Sequence, residues 1–151
     1  MEYPRDLYNA FVTTTDERVG ALLDHLEVRG IANNTLIIFQ TDHGHSTEER
    51  AHYGGGSASG LRGAKFTLIE GGIRVPAMMV WPEKLPAGTV RGQFATGADW
   101  LPTIADILDI DVEDLDLDGH SLMPLVNDED AGSAYDNYLW ELDERWAVRE
   151  G

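Results

Sequence analysis

Asp42 and His43 stand side by side where the run LIIFQTDHGHSTEER, residues 36–50, turns from apolar to charged. A carboxylate and an imidazole on one turn can share a divalent cation, the first as a hard oxygen ligand and the second as a borderline nitrogen. Two such ligands leave a coordination sphere incomplete, so other parts of a fold must supply the rest. The alternative is a hydrogen-bonded turn with no metal. His45 and His52 follow as candidates for substrate contact or proton transfer, or as ordinary surface histidines. Zinc is a poor fit to these histidines, because their spacing is not H-E-x-x-H and the chain has no cysteine.

Lys65 comes just after the glycine-rich stretch GGGSASGLRG, residues 54–63. An ammonium there is a compact positive charge suited to a tetrahedral oxyanion. With Arg62 beside it, the stretch reads as an anion-facing loop or as a plain flexible connection. It is not a Walker loop, since no G-x-x-x-x-G-K-[ST] occurs. Glu70 and Arg74, four apart, read as a structural ion pair rather than as catalytic groups. Asp114, Asp116, Asp118 and Gly119 imitate the start of an EF-hand loop, but its twelfth position, which needs a bidentate Glu, is Leu125. That reading is rejected.

These residues need elements to hold them. Leu7, Phe11, Val12, Val19, Leu22, Leu23 and Leu26 recur at helical spacing and predict an amphipathic helix over 6–29, weakened at Thr13–Thr15 and stopped by Gly30. The apolar run Thr35–Phe39 predicts a buried strand of a parallel sheet, and Ala77–Trp81 a second buried strand. Groups just beyond the carboxyl end of such a strand are where α/β sheets carry function, and Asp42 and His43 occupy that place. Phe66–Glu70 predicts a short helical turn ended by Gly71-Gly72, and Asp99–Leu108 a helix with Pro102 in its first turn. WPEKLPAGTVRG is a surface loop, and DILDIDVEDLDLDGH a dense acidic connection. Strands are predicted at Tyr138–Leu142 and from Trp146 to Arg149.

With 151 residues, 42% of them hydrophobic, and four tryptophans, the chain has the material for one folded domain. A formal net charge of −16 argues against nucleic acid and anionic membrane as partners. No apolar run reaches the roughly 18 residues that span a bilayer. MEYPRDLYNAFV lacks the basic and apolar regions of a signal peptide, and the absence of cysteine leaves the compartment open.

Taken together, NNTLIIFQTDHGH, GLRGAKFTLIEGGIRVPAMMVWPEKLPAG, DWLPTIADIL and DGHSLMPLV resemble, in order and separation, the later half of a type I sulfatase. The opening YNAFVTTTDERVGALLDHLEVRGIANNT is similar to that family's helix before the metal strand. G-x-K-x-x-x-x-E-G-G-x-R-x-P is the specific part; D-H-G is shared across the alkaline-phosphatase superfamily. The resemblance implies an α/β, alkaline-phosphatase-like fold in part: a mixed sheet flanked by helices, followed by the start of a small C-terminal subdomain. Residues 1–110 would be the later part of the catalytic domain, and 111–151 the acidic connection and the incomplete subdomain. It implies Asp42 and His43 as ligands of calcium (or magnesium), Lys65 as the sulfate-ester contact and His45 as a substrate-side residue. The reaction implied is hydrolysis of a sulfated carbohydrate or aryl sulfate to an alcohol and inorganic sulfate.

The family nucleophile is a formylglycine made within a C/S-x-P-S/A-R motif. No such motif occurs among the six prolines of this chain, and the family's two early acidic ligands are missing. The expectation is therefore a fragment truncated at both ends. It should lack turnover on its own and be marginally stable or self-associating through exposed edges. A phosphodiesterase or phosphonate hydrolase of the same superfamily, and a non-catalytic degenerate product, are the alternatives. Family members are often periplasmic or extracellular.

Overall fold

The computed structural model describes residues 4–51 and 54–151. His52 lies outside the described residues. The helical periodicity at the start of the chain yields α1, Pro4–Val28. The three threonines do not interrupt it, because Thr14 and Thr15 turn their hydroxyls back onto the Ala10 and Phe11 carbonyls at 2.9 and 3.0 Å. Gly30, at φ +67°, closes the helix. Its N–H donates to the Glu27 carbonyl and that of Ile31 to the Leu26 carbonyl, the paired bonds of a left-handed C-terminal cap.

Strand β1, Ile37–Gln40, pairs with β2, Ala77–Val80, in register from Ile37 opposite Val80 to Gln40 opposite Ala77. The pairing is antiparallel, which corrects the expectation of a parallel strand. Nor are the strands buried: β1 grades from half-buried to exposed, and β2 exposes Met78 and Val80. A run of four apolar residues encodes an extended, covered segment, but neither its direction nor the cover itself. The short helix α2 also falls later than expected, at Glu70–Ile73, with Gly71 and Gly72 inside it rather than ending it. Phe66 instead takes a left-handed conformation, φ +69°.

The chain divides into two compact units, Met1–Lys84 with Leu139–Ala147, and Leu85–Tyr138 with Val148–Gly151. In the first, Trp81 is buried and carries the Lys84 ammonium 4.3 Å above its ring. The second is organised by polar burial. A turn at Gly97–Asp99 leads into α3, Trp100–Ile107, and Thr96 and Asp99 cap each other's backbone. The Asp99 carboxylate, fully buried, accepts from Thr96 N at 2.6 Å, His120 N at 2.9 Å and the Tyr135 hydroxyl. Burial, then the bond to Asp99, pushes the Tyr135 phenol far above its ordinary range. Thr103, also fully buried, donates to the Asp99 carbonyl and accepts from Leu122 N.

Leu125, at the rejected EF-hand position, is buried in α4, Met123–Asn127. Arg91 donates to the carbonyls of Leu125 and Val126 at 2.5 and 3.0 Å, satisfying groups that the end of α4 leaves open. The predicted tail strands form a hairpin, β3 at Asn137–Leu142 and β4 at Arg145–Glu150. Among the described residues no helix is long and apolar enough to cross a membrane.

Candidate functional site

The turn after β1 is held mainly by backbone. Gly44 N donates to the Gly72 carbonyl at 2.9 Å, Gly71 N to the Arg62 carbonyl at 2.8 Å, and Lys65 N to the His45 carbonyl at 2.9 Å. These bonds bring the D-H-G turn, the Lys65 loop and α2 against one another. The approach is too close for side chains. A Cβ on Gly44 would lie 2.0 Å from the Gly71 carbonyl oxygen, and one on Gly72 2.1 Å from that of Thr67. Glycines separated by almost thirty positions in the sequence thus let three segments share one backbone core, leaving the flanking side chains for chemistry.

His43 Nε2 lies 3.0 Å from Asp42 Oδ2, with the side chains 37% and 81% exposed. His43 Nδ1 lies 2.8 Å from the Gly44 carbonyl oxygen, which can only accept, so Nδ1 carries a proton. Two converging donors, one oxygen and one nitrogen, fit part of a divalent-cation site. Among the described residues no group of three or more His, Cys, Asp or Glu side chains stands ready to hold a metal.

The Lys65 side chain is only 19% exposed. Its ammonium lies 3.4 Å from Glu48 Oε2 and 4.8 Å from the centroid of the Phe66 ring. Glu48 Oε2 also accepts from the Ser46 hydroxyl and from Arg50, each at 3.0 Å. The hydrogen bond from Arg50, with those from Ser46 and Lys65, holds the Glu48 carboxyl below the usual range against the opposing effect of desolvation. Sequence reasoning missed Glu48. It gives no local signal, since its link to Lys65 spans seventeen positions and depends on how two loops fold back.

His45 packs its ring against Gly56, and its enclosed Nδ1 finds no hydrogen-bond partner among the described residues. Arg62 is exposed, and its carbonyl, not its guanidinium, joins the backbone core. Glu70 and Arg74 form the expected pair, 3.1 Å apart.

A sequence model described as Sulfatase matches residues 2–110. Human arylsulfatase D is 37% identical over 134 residues, covering 86% of this chain and 23% of that protein. Mouse steryl-sulfatase is 36% identical, covering 81% of this chain and 21% of its own length. An uncharacterised sulfatase of Escherichia coli is 32% identical, covering 89% of this chain and 23% of its own. The chain thus spans less than a quarter of the length of these relatives. Two solved structures share the fold. One, in complex with its substrate D-glucosamine-2-N,6-O-disulfate, has TM-score 0.68 and 24% identity, covering 92% of this chain and 28% of its own. The other, from a Bacteroides thetaiotaomicron locus for glycosaminoglycan metabolism, has TM-score 0.71 and 18% identity, covering 91% and 30%.

Proposed function

The chain belongs to the sulfatase family and carries part of its alkaline-phosphatase-like fold, and from that premise we propose that it serves sulfate-ester hydrolysis as the later portion of a catalytic domain. In this reading residues 1–110 belong to the catalytic α/β domain, and 111–151 to the acidic connection and the start of a C-terminal subdomain. The substrate class is a sulfated carbohydrate or aryl sulfate, released as alcohol and inorganic sulfate. The disulfated glucosamine bound by one structural neighbour supports the carbohydrate, and the arylsulfatase relatives the aryl ester.

The observation that carries the proposal is the backbone core that holds the Asp42-His43 turn and Lys65 on adjoining loops. Asp42 and His43 are the ligands this chain offers to calcium or magnesium. Such a cation, when bound, supplies Lewis-acid stabilisation of charge on the sulfate oxygens. Lys65 donates a hydrogen bond to the ester and neutralises charge developing on the bridging oxygen. His45, whose Nδ1 has no hydrogen-bond partner among the described residues, lines the substrate side. These residues carry no C/S-x-P-S/A-R motif, so in this reading a formylglycine nucleophile would be supplied from outside them. The chain alone is expected to turn over nothing.

The test uses the enzyme that carries this segment together with a formylglycine motif. It should hydrolyse 4-nitrophenyl sulfate in preference to 4-nitrophenyl phosphate. Lys65→Ala should cut the sulfate reaction by roughly a hundredfold or more, the scale of losing one oriented donor to developing charge. Faster phosphate turnover, or sulfate turnover indifferent to both Lys65→Ala and Asp42→Ala, would overturn the reading.

A further inference from the structure

The coverage of Lys65 has a specific source. Its ammonium is bounded by the Glu48 carboxylate at 3.4 Å and by the face of Phe66, a residue in the left-handed region that bulky side chains seldom adopt. Glu48 gathers three donors, Ser46, Arg50 and Lys65, on the single oxygen Oε2. An ammonium meant to receive an anion therefore already has one.

We propose that Glu48 is a positioning residue for Lys65, its resident counter-ion, which the incoming sulfate ester must displace from the ammonium. This rests on the reading of Lys65 as the ester-binding lysine. The consequence is selectivity: only a ligand group with a full negative charge competes with a carboxylate already in place, and neutral hydroxyls of the same substrate do not. Glu48 is anchored independently by Ser46 and Arg50, so releasing Lys65 leaves its charge satisfied.

Lys65 and Lys84 are the only lysines of the chain, so trace acetylation with acetic anhydride, read peptide by peptide in a mass spectrometer, reports each separately. In the wild-type chain Lys65 should react more slowly than Lys84; equal rates overturn the proposal. Removing the carboxylate takes away the group that pairs with the ammonium and helps to cover it. Glu48→Gln should therefore speed Lys65 roughly threefold, the size a partly exposed ion pair supports, with Lys84 unchanged. Glu48→Asp should return Lys65 toward the wild-type rate. Inorganic sulfate should protect Lys65, with half-protection at a roughly threefold lower concentration in Glu48→Gln than in wild type. An unchanged Lys65 rate in Glu48→Gln, or sulfate protection weaker than in wild type, would refute it. Labelling needs neither turnover nor metal, so its failure leaves the sulfatase reading standing, and a phosphate preference in the enzyme assay leaves the Glu48–Lys65 pair standing.

Discussion

Helix α1 runs for 25 residues and buries none of them, whereas α3, with eight, buries Pro102, Thr103 and Ala105 and follows directly on the fully buried Asp99. Both are amphipathic in sequence. Periodicity states which side of a helix is apolar, and burial depends on what covers that side. On α1 the apolar side remains open, with Tyr8, Phe11, Val12, Leu22 and Leu23 exposed. Its described ties are few: Arg5 donates to the Gly55 carbonyl at 2.9 Å, Tyr8 lies against Gly55 and Gly56, and the C-terminal cap closes the end. Around α3, by contrast, two buried polar side chains fix the chain at several separate points. The second unit is thus tied together by buried polar side chains, while the candidate site in the first relies on backbone fitted to backbone.

The sharpest way to break this contrast is Asp99→Ala. It strips the acceptor from Thr96 N, His120 N and the Tyr135 hydroxyl at once, and each buried donor left without a partner costs about 1–3 kcal/mol. A loss of roughly 3 kcal/mol or more is expected in urea unfolding followed by tryptophan fluorescence. Asp99→Asn, which keeps the shape and one acceptor oxygen, should lose less. An Asp99→Ala midpoint equal to wild type would mean that water replaces the carboxylate freely, and the polar centre would then hold nothing together.

Gly72→Ala sharpens the other side of the comparison. The added methyl would meet the Thr67 carbonyl oxygen at 2.1 Å, so backbone has to move. Overpacking of this kind costs about 1–3 kcal/mol. Because Gly72 also accepts the hydrogen bond from Gly44, the shift should reach the Asp42-His43 turn. Amide chemical shifts of residues 42–45 should move with it, while those around Asp99 stay in place. Movement confined to α2 would show that the turn does not depend on the backbone core.

The sequence makes the helices and the site turn legible because their signals are local. Seven apolar residues at helical spacing and a terminal glycine define α1, and Asp42 and His43 fall just past the end of β1 as an apolar-to-charged switch predicts. What stays hidden is set by distant partners. The antiparallel direction of β1 and β2 is absent from either four-residue run. Gly71 and Gly72 look like a helix stop, yet they are glycines because other backbone presses on them, and so they sit inside α2. Asp99 reads as the start of a helix. Its role as acceptor for His120 and Tyr135 joins residues 21 and 36 positions away, a relation no window of sequence contains.

The smallest expected effect belongs to α1 and tests the contrast from its weaker end. Phe11 is 68% exposed, so Phe11→Ser removes little apolar area already withdrawn from water. Serine and phenylalanine have similar helix propensities, so the backbone should tolerate the change. The unfolding free energy should stay within about 0.5 kcal/mol of wild type, as for an ordinary surface position. Sedimentation velocity should nonetheless show less self-association, because an open apolar stripe is the surface by which copies of the chain would adhere. If Phe11→Ser instead costs as much as Asp99→Ala in dilute solution, the stripe is covered there, and α1 belongs to the stabilising core after all. If stability and association are both unchanged, the exposed side of α1 is inert, and the contrast with α3 is one of packing alone.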